Sequence, residues 1–186
     1  MRLTTDIVFS VFGVFPKIKI TCEKPIKQRL SYMTVSKIVI IGYGNQLRGD
    51  DGVGIWVAEA LQSMELEQVK TLGVHQLTPE LAEILANVDL AIFIDACLTT
   101  HSTQVELELI TPNSDHIIST HTGNPPALLA FTQAVYGYSP RSWWVKIPGV
   151  NFDLGDKFSP LAEAGCAIAL ALLLKQILRC SGVPPY

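Results

Sequence analysis

The run "DLAIFIDA" (89–96) constrains the fold more than any other stretch of the chain. Five consecutive apolar residues between two acids cannot alternate between core and solvent. The strand they form is therefore buried on both faces and needs a packing layer on each side. "SKIVIIGYG" (36–44) repeats the pattern and ends in glycines. Helical spacing follows in "GVGIWVAEALQSM" (52–64), with Val53, Val57, Ala60 and Leu61 on one stripe. "QVKTLGVHQL" (68–77) reads as a strand, and "TPELAEILANV" (78–88) as a helix with Thr78 at the N-cap and Pro79 in the first helical position. "QVELELIT" (104–111) alternates apolar and charged residues, as a half-exposed strand near an edge does. "NPPALLAFTQAVYG" (124–137) is a helix opened by prolines and closed near Gly137, "SWWVKIPGV" (142–150) a last strand, and "SPLAEAGCAIALALLLKQILRC" (159–180) a last helix begun by Ser159 and Pro160. Strands alternating with helices predict an α/β fold: a three-layer sandwich with a mostly parallel twisted central sheet and helices on both faces.

The 186 residues, 48% of them apolar, suffice for one core without disulfide staples. A single α/β domain is expected over 33–186. Residues 1–32 do not join the alternation, and Met33 stands just before the first strand. A genuine N-terminal extension and a start codon assigned too far upstream both fit that arrangement. Arg2 followed by "IVFSVFGVF" resembles a signal peptide, but the apolar stretch is short and no small-x-small cleavage site precedes "PKIKITCEK". "AGCAIALALLL" (164–174), bounded by Glu163 and Lys175, is too short to cross a bilayer and suits a buried core helix. Cys22, Cys97, Cys166 and Cys180 lie far apart with no C-x-x-C, which fits free thiols in a cytoplasmic setting. A net charge of −3 without a basic stripe argues against nucleic acid as a partner.

Open α/β sheets bind ligands beyond the carboxyl ends of their strands. The reactive residues expected there are Asp51 after the first strand, His75 at the end of the second, Asp95 at the end of the third, and His121 in "STHTGNPPALL" (119–129). Each also has an ordinary structural use. Asp50 or Asp51 can cap the helix starting near Gly52, Asp95 can close an Asx turn, and a loop histidine can bond a carbonyl. One acid suffices for the cap, so Asp50 is assigned that task and Asp51 is left to face the ligand. The glycine turn is not a dinucleotide fingerprint, because Leu47 stands where the third glycine belongs. Two acids at the helix N-terminus also repel the phosphate that such turns attract. Two carboxylates and an imidazole instead suit a borderline divalent metal.

"GYGNQLRGDDGVG", "FIDA" and "STHTGNPPALL" resemble, in order and spacing, the three signature stretches of the nickel–iron hydrogenase maturation endopeptidases. The resemblance covers about residues 37–180. It implies an endopeptidase that removes the C-terminal extension of the hydrogenase large-subunit precursor after nickel insertion. It also implies that Asp51, Asp95 and His121 contact a nickel belonging to the substrate, with no tightly bound cofactor of the enzyme's own. Many members carry an Asp-Gly-Gly-type stretch after the second strand, where this chain has "GVHQLTPEL" (73–81). The His-Gln-Leu version resembles the subgroup serving bidirectional, NAD-linked hydrogenases, which gives His75 and Gln76 a part in substrate recognition.

The nickel can act as a Lewis acid in hydrolysis or as a recognition element only, and the sequence leaves both open. Two other classes fit parts of the pattern. A metallochaperone or checkpoint protein would use the same ligands without cutting, leaving the precursor's mass unchanged. A small-molecule or nucleotide-binding α/β enzyme would be stabilised thermally by its nucleotide.

Overall fold

A computed structural model describes residues 37–67, 69–99, 103–113 and 124–180. The extension assigned to residues 1–32, together with His101, His116 and His121, lies outside the described residues. Among the described residues five strands form the sheet: β1 (Ile38–Tyr43), β2 (Val69–Val74), β3 (Leu90–Leu98), β4 (Glu106–Ile110) and β5 (Arg141–Gly149). Their order is β2-β1-β3-β5-β4; all neighbours are parallel except β4, which runs antiparallel to β5 at the edge.

Among the described residues four α-helices cover the sheet: α1 (Val53–Gln62), α2 (Leu81–Leu85), α3 (Pro125–Tyr136) and α4 (Pro160–Cys180). The strand period of two splits the apolar runs between two cores. Ile38, Ile40, Ile92, Ile94, Val145 and Ile147 point to one face and pack on α1 and α4. Val39, Ile41, Tyr43, Ala91 and Phe93 point to the other and pack on α2 and α3. This is the expected three-layer arrangement, with burial on both faces of β1 and β3 accounting for their unbroken apolar sequence.

The α4 helix, at 21 residues, exceeds the apolar core read from the sequence, and its Pro160–Ile177 window has the length and composition of a membrane span. Ala162, Cys166, Ala169, Leu173 and Ile177 recur at helical spacing and are buried in the first core, so one face of α4 is a core element. Gly137 closes α3 in the left-handed conformation at φ 69°, as its position at the end of the pattern predicts.

Three local expectations are corrected. Helix α2 begins at Leu81, not at Thr78-Pro79; these two residues form turns whose carbonyls accept from Leu81 and Ala82. Burial of Leu81, Ala82 and Leu85 sets this short helix, and no side chain caps it. Strand β3 runs three residues beyond Asp95, so that acid lies within a strand paired with Lys146 of β5. Strand β4 is at the edge, but only Ile110 of its five residues is buried, with Leu107 and Leu109 exposed.

Candidate active site

Tight packing at the end of β1 positions the site. A Cβ on Gly42 would collide with the Gly54 carbonyl, so strand and helix touch backbone to backbone. Gly44 turns the chain at φ 136°, and a side chain there would strike the Asp51 carbonyl. The chain then passes through a 3-10 turn, Gly49–Gly52, into α1.

The two adjacent acids of this turn face different surroundings. Asp50 is fully buried and caps neither the turn nor α1. Its Oδ2 accepts hydrogen bonds from the Val150 and Asn151 backbone N–H groups (2.8 and 2.9 Å) and from Ser159 Oγ (2.7 Å), and its Oδ1 accepts from Ser159 N (2.6 Å). Ser159 Oγ in turn accepts from Ala162 N at 3.2 Å and caps α4. Burial raises the Asp50 carboxyl, but the donors from Ser159, Asn151 and Val150 outweigh it and hold the group below its ordinary value. The capping task read for Asp50 is thus overturned, because donors from the far end of the chain claim both its oxygens. The same zipper continues through Gly49 N to Gly155 O (2.8 Å) and Gly155 N to Leu47 O (2.9 Å). It fixes Leu47 and Leu154, at 68% and 88% exposure, on one rim.

Asp51 is half-buried, with Oδ2 accepting from Asn45 N at 2.8 Å. Asp95 emerges from β3 on the face of Phe93, by the period of two, and Tyr43 follows the Gly42–Ile94 pair on the neighbouring strand. The Asp95 Oδ1 accepts from Ala96 N at 2.8 Å. Burial pushes the Asp95 carboxyl up to about 7, the nearby Tyr43 hydroxyl and the hydrogen bond from Ala96 N restrain the rise, and the nearby Asp51 charge adds to it. Sequence-predicted Asp51 and Asp95 are therefore brought within electrostatic reach of each other. The placement of His121 lies outside the described residues, and among the described residues no three metal-ligating side chains converge. His75 and Gln76 are exposed just beyond β2, whose last carbonyl, Val74 O, accepts from Gly44 N of the site turn at 3.3 Å.

Two side chains that sequence reasoning missed also belong here. The Tyr43 hydroxyl and Trp144 Nε1 are buried without a fully formed hydrogen bond, although the hydroxyl neighbours both Asp95 and Trp144. A polar aromatic ending the buried run of β1 was the available signal. A separate hollow of about 630 Å³, lined by residues including Lys37, Val69, Glu83 and Asn87, opens at the amino ends of β1 and β2. That is the end opposite to where sheets of this class place their chemistry.

Asp95 supplies a pH-dependent expectation. Its folded value lies above that of an unfolded aspartate, about 3.9, so the native state holds more protons between about pH 4 and 7. Its ionisation therefore costs stability as pH rises through that window. In the free protein, Asp95→Asn should gain on the order of 2–4 kcal/mol at pH 8 and almost nothing at pH 4. Urea unfolding at the two pH values measures this, and an unchanged or lower midpoint at pH 8 would contradict the burial of that charge.

Neither protein-family models nor curated proteins match the sequence. Solved structures do. A [NiFe] hydrogenase maturation protease, HycI from Thermococcus kodakarensis KOD1, aligns at 25% identity with a TM-score of 0.61, covering 77% of this chain and 94% of that one. The hydrogenase maturating endopeptidase HybD from E. coli aligns at 23% identity and TM-score 0.63, covering 78% and 94%. An endopeptidase from Escherichia coli gives 24% and 0.63, covering 80% and 95%. The chain thus has the fold of the [NiFe] hydrogenase maturation proteases and is similar to them over most of its length.

Proposed function

We propose that this protein is the cytoplasmic endopeptidase that removes the C-terminal extension of a nickel–iron hydrogenase large-subunit precursor once nickel is in place. The observation that carries the reading is the nearness of Asp51, in the turn after β1, to Asp95, within β3, in a fold shared with a maturation protease. Among the described residues each has one oxygen held by a backbone N–H, which fixes its direction and leaves the other for substrate. Two acids with this little hydration favour a cation between them, and with His121 they form the oxygen/nitrogen set that a borderline divalent ion accepts. The cation is the substrate's nickel, so an unmetallated precursor presents nothing for these residues to hold.

Hydrolysis also needs a proton acceptor for water and a donor for the leaving amine. Asp51 and Asp95 offer the substrate's cation two carboxylate ligands, which leaves the proton transfers to groups other than this pair. The exposed Leu47 and Leu154 beside the Asp51 turn suit a protein surface better than a small metabolite. His75 and Gln76, linked to that turn through Val74, serve in recognising the large subunit of a bidirectional, NAD-linked enzyme.

Incubating purified protein with its cognate precursor, with and without nickel, and weighing the precursor by mass spectrometry tests the proposal. Loss of the C-terminal peptide only from the nickel-loaded sample is expected. Cleavage of both samples would remove the metal-recognition part, and unchanged mass in both would favour a checkpoint protein that binds without cutting.

A further inference from the structure

We infer that Tyr43 and Trp144 are positioning residues: the indole N–H steers the Tyr43 oxygen, and the Tyr43 O–H fixes the Asp95 carboxylate for the cation that the substrate brings. This rests on reading Asp95 as a contact to the substrate's nickel.

Buried donors without acceptors are rare and cost about 1–3 kcal/mol each, so two in one place need an explanation. Tyr43 is only 8% exposed, and its hydroxyl and Trp144 Nε1 both lack a fully formed hydrogen bond. They come from β1 and β5, the strands flanking β3, and they meet on the α2/α3 side of the sheet where Asp95 also points. An indole nitrogen can only donate, whereas a phenol can accept one bond and donate another. The possible order is therefore fixed: Trp144 to Tyr43, then Tyr43 to Asp95. Ala96 N already holds Oδ1 of Asp95, so the hydroxyl acts on the carboxylate's remaining freedom to rotate. A carboxylate that ligates a cation must bear full charge, and a donor to such a group forms a shorter and stronger bond. Partners of this kind orient ligating side chains in metal sites generally, and their loss costs about 10–100-fold in affinity.

The test measures Ni²⁺ binding to the full-length free protein by calorimetry, for wild type, Tyr43→Phe, Trp144→Phe and the double variant. Tyr136→Phe, an exposed tyrosine on α3, is the control. Tyr43→Phe should bind Ni²⁺ about 10–100-fold more weakly while its melting temperature stays within a few degrees of wild type. Trp144→Phe should lose less, the double variant should be no worse than Tyr43→Phe because the two act in series, and Tyr136→Phe should match wild type. With nickel-loaded precursor, KM should rise with the weakened affinity and kcat fall less. Wild-type affinity in Tyr43→Phe, additive losses in the double variant, or no Ni²⁺ binding by the wild-type protein would overturn the inference. A protein that cleaves its precursor but shows no Tyr43 dependence loses this inference alone. One that binds Ni²⁺ in a Tyr43-dependent way but never cuts loses the peptidase reading alone.

Discussion

Asp51→Asn should abolish processing of nickel-loaded precursor, lowering the rate by at least about 100-fold, while leaving the fold intact. The amide can still accept from Asn45 N, so the β1 turn keeps its closing hydrogen bond. What disappears is the negative charge that Asp51 presents alongside Asp95, and with it much of the attraction for a cation. Removing that charge also lowers the Asp95 carboxyl toward its ordinary range, since Asp51 is one of the influences holding it up. Precursor mass over time, with circular dichroism as the check on folding, measures the effect. A variant that cuts at the wild-type rate would remove Asp51 from the site.

Asp50→Asn, one residue earlier, should do the opposite and cost about 3–5 kcal/mol of stability. Three backbone N–H groups and a serine hydroxyl converge on that carboxylate, and an amide nitrogen would face some of them donor to donor. The loss is a large share of a typical domain's margin. Because the folded carboxyl lies below its ordinary value, the native state binds fewer protons than the unfolded chain. The Asp50 contribution is therefore present above the ordinary carboxylate range and lost as pH falls through the folded value. Wild type and Asp50→Asn should accordingly converge in stability as the solution is acidified. Denaturant titrations at neutral and acidic pH would show it, and equal midpoints at pH 7 would mean that the buried network contributes nothing net.

The architecture was legible because its strongest signal is local. Unbroken apolar runs in β1 and β3 demand two covering layers, and the stripe Val53, Val57, Ala60, Leu61 sits buried as its spacing predicts. Ser159 does cap α4, and Gly137 does close α3. Thr78 and Pro79 misled, since a cap signal is weak beside the burial of Leu81 and Leu85 five and nine residues after Gln76. Placing Asp95 at a strand end also misjudged β3, which continues because β5 keeps pairing with it as far as Gly149.

The sequence by itself determined the layers, the mostly parallel sheet and the presence of reactive residues near the carboxyl ends of its strands, because periodicity of burial is written residue by residue. Only the tertiary structure decided what each of two neighbouring acids does. The partners of Asp50 lie 100 to 109 residues away, and no spacing within "GDDG" reports them. The Tyr43 hydroxyl beside Asp95 likewise comes from another strand, β1, next to β3 in the sheet. A side chain's task depends on which donors share its space, and that is set by how the strands are ordered across the sheet.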